Sequence, residues 1–352
     1  MCEISHESTG PELKRLAVKE AIGNILAHDI TEIRPGEFKG RAFKRGHIVR
    51  EEDVCHLQRL GKEHLFVLKI ADDEIHEDDA AYALANTLMG EGVQTNGGPK
   101  EGKISIIAVT DGLLKINLEM LLALNMLGDV MCATLHSNTV VKKGQIVAGT
   151  RAIPLIVKKD VLQAAVRIGE QAGKIIQVKN IRKPKAGVVI TGNEVYYGRI
   201  NDAFAPIIKN KIEAIGGQII GIYYAPDDET SIEARLRELM NAGADLLVTT
   251  GGMSVDPDDV TRFAIKNMGA TDITYGSAVL PGAMFLVAYI RGVPVLGVPA
   301  CAIYANATIF DLVLPRVLSG EKIGRRELAE LGHGGLCMKC EACRYPICPF
   351  GR

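Results

Sequence analysis

The stretch TTGGMSVDPDDVT at 249–261 carries the densest chemistry in the chain. Gly251 and Gly252 allow a backbone to approach a ligand closely and to aim N–H groups at a phosphate. Asp256, Asp258 and Asp259 gather oxygen ligands at the same place, and Mg²⁺ on a phosphate needs only one or two protein carboxylates. The plainer alternative is a helix cap followed by a solvated acidic loop. Four further loops have related character. In TGNEVYYGRIND (191–202), Thr191 and Gly192 can offer backbone N–H groups to a phosphate, while Asn193 and Glu194 can bind a polar heterocycle or sugar. APDDET (225–230) places Asp227 and Asp228 ahead of a helix, where capping is the simpler reading. VLPGAM (279–284), with Pro281 and Gly282, and GVPACAIYAN (297–306), with Pro299 and Cys301, read as rigid turns at strand ends.

A second constellation is CMKCEACRYPICPFG at 337–351. Cys337, Cys340, Cys343 and Cys348 follow a C-x2-C-x2-C-x4-C-P pattern, whose thiolates can all reach one ion or cluster. Zn²⁺ takes four sulfurs tetrahedrally, and a [4Fe–4S] cluster also takes four. A single site with no other sign of electron transfer favours zinc. Cys2, Cys55 and Cys132 read as small buried hydrophobes. Cys301, at a strand end, is placed to meet a ligand. The basic group Lys39, Arg41, Lys44, Arg45 and His47 is either an anion receptor or, more simply, a solvated hairpin.

These loops need a scaffold. From residue 186 onward, apolar runs at 186–191, 218–225, 244–250, 285–290 and 294–298 alternate with helical spacing at 205–215, 229–243, 258–269 and 302–320. Alternation of that kind builds a parallel sheet with helices on both faces, and ligands then bind beyond the carboxyl ends of the strands. The first half is β-rich, with helices expected at 16–25, 72–88, 118–127 and 161–173. KRGHIV (44–49) and KKGQIV (142–147) are similar strings in which Gly feeds a strand from a turn. The expected organisation is an N-terminal β-rich α+β region at 1–100, a β-rich connecting domain at 101–180, a mostly parallel three-layer α/β domain at 181–325, and a Cys-rich metal-binding tail at 326–352.

Composition narrows the partners. The 352 residues include 41 Lys or Arg and 42 Asp or Glu, for a net charge of −1. No general basic field exists to hold a nucleic-acid backbone. Aromatics make up 5% and Trp is absent, so stacking platforms are poorly supplied. No apolar run approaches the ~20 residues of a membrane span, and the first residues lack a signal-peptide core. A cytoplasmic location with no membrane partner is expected, with the cysteines unpaired.

Residues 186–320 resemble the molybdopterin-binding domain shared by the molybdopterin adenylyltransferases, the MoeA/gephyrin-type molybdopterin molybdotransferases and the CinA-type proteins. The resemblance rests on TGNEV, PDDE, TTGGMSV…DDVT and GVP in that order and spacing. LAVKEAIGNILAHDITEI (16–33) is similar to the start of the molybdotransferases. By position, Thr191, Gly192, Asn193 and Glu194 fall on the family's TGDEL segment. Asp227 falls on its catalytic PD turn. Gly251, Gly252, Ser254 and Asp259 fall on SGGVSxGxxD, with Asp259 on the metal-associated Asp. Pro281 and Gly282 fall on KPGKP, and Pro299 on LPGNP. Leu280 and Ala283 stand beside Pro281–Gly282, so the lysine expected before it is missing. Ala300 and Cys301 replace Gly-Asn, and no counterpart of the family's C-terminal barrel is expected in these 352 residues.

The resemblance implies a role in molybdenum cofactor biosynthesis. The ligand would be molybdopterin or its adenylylated form, and the activity a Mg-assisted transfer of molybdate with release of AMP. Catalytic roles would fall to Asp227 and Asp259, and metal binding to Asp259 and Asp256. The implied partners are a pterin phosphate, molybdate, and a molybdoenzyme or other cofactor-pathway protein, in a homo-oligomer. The rival readings are a non-catalytic molybdopterin or molybdate carrier or sensor, and a CinA-like nucleotide pyrophosphatase.

Overall fold

The structure is a computed structural model that describes residues 13–34, 38–68, 71–100, 102–171, 173–253 and 260–351. The chain divides into two compact units. The first comprises residues 1–110, 115–135 and 141–178; the second comprises 111–114, 136–140 and 179–352.

The first unit is β-rich, with helices of its own. Strand His64–Leu68 lies between Leu13–Ala17 and Ile25–Leu26, antiparallel to both. The helix expected at 16–25 is therefore a strand, a turn and a second short strand. Leu16 pairs with Leu65, and the chain turns at Gly23 with φ of 83°. The apolar spacing of Leu16, Val18, Ala21 and Ile25 imitates a helix, but Val18, Ala21, Leu65 and Val67 bury together instead. A four-stranded antiparallel sheet runs in the order Val130–Thr134, Ile146–Ala152, Lys103–Ala108, Val93–Thr95. Helices Glu77–Leu88 and Lys159–Gln171 approach each other closely where Gly169 meets Thr87. Gly46 and Gly144, in the two similar strings, both take positive φ, at 88° and 84°. Arg41 of the basic group pairs with Asp29 at 2.9 Å.

The second unit carries the loops of interest. Its elements are β1 (Lys185–Thr191), α1 (Asn193–Tyr196), α2 (Phe204–Ala214), β2 (Gln218–Ala225), α3 (Glu229–Asn241), β3 (Leu246–Thr250), α4 (Thr261–Asn267), β4 (Thr271–Tyr275), β5 (Leu286–Ile290), β6 (Val293–Val298), α5 (Ile309–Leu318) and α6 (Arg325–Glu330). The sheet order is β2-β1-β3-β6-β5-β4. Strands β2, β1, β3 and β6 are parallel, and β5 is antiparallel to both neighbours. Alternation along β1 sends Ala186, Val188 and Ile190 to one face, where Ile208 and Ile212 of α2 and Phe310 and Val313 of α5 bury them. Val189 faces the other way, against Ile232 and Leu236 of α3 and Ile265 of α4. The result is three layers. Strand β4 lies outside the apolar runs of the sequence. The helix expected at 302–320 is shorter: a 3₁₀ turn covers Ala300–Ile303, and α5 begins after Thr308.

Candidate functional site

The chain leaves β1 toward β2 on one side and returns to β3 on the other. The carboxyl ends of β1 and β3 therefore flank a topological switch point, where α/β sheets bind ligands. The loop after β3 opens with Gly251 and Gly252, at φ of 83° and 56°. A side chain at Gly251 would run into the Thr191 carbonyl, and one at Gly252 into the Thr261 hydroxyl. These glycines thus let the ends of β1, β3 and α4 close on one another. Thr191, 2% exposed, ties the same junction: its hydroxyl lies 3.0 Å from the Thr250 carbonyl and 3.1 Å from Thr261 Oγ1.

Beside this junction is a cavity of about 600 Å³. Gly251, Gly252, Pro281, Gly282, Pro299 and Cys301 all line it. Three loops expected from sequence at strand ends therefore meet around one space. Gly282 has φ of 133° and packs against Ile309, which fixes the Pro281–Gly282 turn to the start of α5. Burial pushes the Cys301 thiol above its ordinary value, which keeps it protonated.

The β1 and β2 loops form a neighbouring set that the cavity's described lining does not include. The Asn193 backbone N–H donates to Asp227 Oδ2 at 2.9 Å, and the Asp227 N–H donates to Asn193 Oδ1 at 3.3 Å. Gly192 precedes α1, and the exposed Glu194 folds its carboxylate back over it. Asp228 caps α3, accepting from the Ser231 N–H at 2.7 Å. The Ser231 hydroxyl, and after it that backbone bond, hold its carboxyl below the usual range. Capping thus falls to Asp228 alone of the two, while Asp227 turns toward Asn193. Ser254, Asp256 and Asp259 lie outside the described residues.

Cys337, Cys340, Cys343 and Cys348, with Cys301, line a further cavity of about 420 Å³. Pro281, Cys301 and Lys339 line both cavities. Among the described residues, no three His, Cys, Asp or Glu side chains stand close enough to share one metal ion. Met284, Leu336 and Lys339 of the larger cavity were not singled out from sequence. Met284 lay beside a recognised turn. Leu336 and Lys339 gave no local signal, because the 336–339 segment reaches the cavity only through a long-range bridge to Leu280.

Residues 187–319 match the family described as "Probable molybdopterin binding domain". Residues 15–69 match a domain of unknown function. A CinA-like protein of Mycobacterium avium (strain 104) is 42% identical over 77 residues, covering 22% of this chain and 18% of that protein. A CinA-like protein of Mycobacterium leprae is 38% identical over 89 residues, covering 24% and 21%. The chain therefore spans about a fifth of the length of these curated relatives. The molybdopterin biosynthesis MoeA protein of Pyrococcus horikoshii is 17% identical, covering 91% of this chain and 76% of that one, at a TM-score of 0.33. The tungsten cofactor synthesizing protein MoaB of Pyrococcus furiosus is 21% identical, covering 40% and 99%, at 0.34. No described helix is long and apolar enough to cross a membrane.

Proposed function

We propose that the second unit binds molybdopterin, or its adenylylated form, in the 600 Å³ cavity, and acts there as a molybdopterin molybdotransferase. The observation that carries this reading is the meeting of the Gly251–Gly252, Pro281–Gly282 and Pro299–Cys301 loops around one cavity beside the switch point. The size suits a pterin, since small-ligand pockets run to roughly 300–1,000 Å³. The walls are largely apolar, which suits the flat faces of a fused heterocycle, with close backbone approach at the glycines.

Magnesium would supply charge neutralisation of the pyrophosphate as AMP leaves. The residues fit a hard cation in kind: Asp227 brings carboxylate oxygen to the loop after β2, and Asp256 and Asp259 bring more to the loop after β3. The Asn193 N–H fixes the position of Asp227. Glu194, exposed on α1, would orient the pterin or nucleotide.

Because metal charge matters most as the leaving phosphate develops charge, Asp259→Asn should cut AMP release by roughly a hundredfold. Pterin binding should persist in the same variant. AMP release from adenylylated molybdopterin and molybdate at the wild-type rate would remove Asp259 from the mechanism. The similarity to CinA-like proteins over 77 residues favours, as the second reading, a nucleotide pyrophosphatase. Turnover of ADP-ribose without any retained pterin would select it. Pterin retained without turnover of either compound would select a carrier.

A further inference from the structure

Residues 336–351 close back onto the second unit at both ends. Cys337 N–H donates to the Leu280 carbonyl at 2.8 Å, and Leu280 N–H donates to the Gly335 carbonyl at 2.8 Å. Gly351 N–H donates to the Gly334 carbonyl at 2.9 Å, and Tyr345 OH donates to the Asp311 carbonyl at 3.2 Å. Phe350 is buried. The loop fixed in this way supplies much of the wall of the 420 Å³ cavity. That cavity shares Pro281, Cys301 and Lys339 with the 600 Å³ cavity, so the two spaces adjoin and Lys339 stands at their common border.

Charge is distributed unevenly around this pair. Lys339 is the only charged residue in the described lining of the larger cavity. Lys339 and Arg344 are the only charged residues in the described lining of the smaller one, and both are cations. Glu341, the one acid between Cys337 and Phe350, is not part of that lining. Among the described residues, neither the Lys339 ammonium nor the Arg344 guanidinium has a hydrogen-bond or ion-pair partner. A lone exposed cation is served by water. Two of one sign at one cavity with no carboxylate in its wall leave a local positive field that suits an anion. The same cavity offers the ring of Tyr304, 88% exposed, and the side-chain amide of Asn306. An open aromatic ring stacks on a base, and an amide hydrogen-bonds to a base edge.

We propose that Lys339 and Arg344 form a phosphate subsite, and that the smaller cavity takes the nucleotide half of an adenylylated pterin whose pterin half lies in the larger one. This inference rests on the pterin-binding reading given above and narrows it: the ligand is the adenylylated form rather than free molybdopterin. Lys339, at the border, donates to the pyrophosphate that joins the two halves. Arg344 donates to the oxygens on its AMP side, where a planar guanidinium fits a phosphate with two parallel bonds. The segment after the last helix thereby supplies the cationic donors that Leu280, Ala283 and Met284 do not.

The test titrates the full chain with three probes: AMP, molybdopterin and adenylylated molybdopterin. Wild type should bind the adenylylated form about tenfold more tightly than molybdopterin, as charge-assisted hydrogen bonds to a phosphate allow. Arg344 lines the smaller cavity alone, so Arg344→Gln should weaken AMP and the adenylylated form by about tenfold and leave molybdopterin affinity unchanged. Lys339→Gln should weaken AMP and the adenylylated form likewise, and Arg344→Lys should recover part of the loss. Both side chains are exposed, so circular dichroism and the urea midpoint should not move. Equal wild-type affinity for the two pterin forms overturns the proposal, as does AMP affinity that neither variant lowers. If neither pterin form binds, the reading of the larger cavity falls, and the AMP titration decides the subsite alone. AMP binding that both variants lose keeps the phosphate subsite; no AMP binding by wild type removes it.

Discussion

Gly282 is a residue whose lack of a side chain has two separate causes. Its φ of 133° is unfavourable for L-residues, and an added Cβ would sit 2.7 Å from the Ile309 Cβ. Gly282→Ala should therefore destabilise the second unit by about 1–3 kcal/mol, read as a lower midpoint in urea. Ala283→Val, at the neighbouring exposed position, should leave the midpoint unchanged. Equal midpoints for the wild type and Gly282→Ala would contradict the packing described. Gly252 is less useful as a probe of ligand binding than its sequence suggests. Its φ is 56° and a side chain would strike the Thr261 hydroxyl, so a branched substitution disturbs the fold before it disturbs a phosphate. Residue types and order were legible at 251–252, 281–282 and 299–301, because glycine and proline after an apolar run mark strand ends. The burial of Thr191 under Thr261 was not, because it depends on a contact seventy positions away.

Helix α5 shows how an element is set by its first residue. Thr308 is fully buried, and its hydroxyl accepts from the Phe310 N–H at 3.2 Å. Asp311 closes the box by accepting from the Thr308 N–H at 2.8 Å, and Lys211 of α2 pairs with the same carboxylate group. Thr308→Ala removes the cap inside the core and should cost about 1–2 kcal/mol, whereas Thr308→Ser keeps the hydroxyl and should cost less. Thermal or urea unfolding that ranks the two variants equally would contradict the cap. Sequence periodicity located β2 with its observed ends, since the run Gln218–Ala225 stops at Gly217 and Pro226. It overextended α5 to 302, because Ala302, Ile303 and Ala307 are apolar, although Ala302 and Ala307 bury, and Ile303 half-buries, from a 3₁₀ turn and a loop. It passed over β4, whose first three residues are all exposed and so show no buried apolar run. Leu16–Ile25 failed for the opposite reason: its apolar residues pack against strand His64–Leu68, a partner that local spacing cannot reveal.

At the scale of the whole molecule, the sequence conveyed a β-rich first half and a mostly parallel α/β second half, because burial on one face or on two leaves distinct patterns along a strand. It did not convey that Leu336 and Lys339 return to border the same crevice as the glycine loop, while the cysteines of 337–348 line the cavity next to it. That return is made by backbone bonds at Leu280 and Gly334, which carry no side-chain signature. The central claim is that the 600 Å³ cavity holds a pterin, and one comparison tests it most directly. Wild type and Ala283→Trp, whose exposed indole would fill the cavity, are each saturated with molybdopterin under anaerobic conditions and separated from free ligand. The retained pterin is then oxidised and measured by fluorescence. One pterin per wild-type chain, with at least a tenfold loss of affinity in Ala283→Trp, is the predicted result. No retained pterin in the wild type, or equal retention in a folded Ala283→Trp protein, would contradict it.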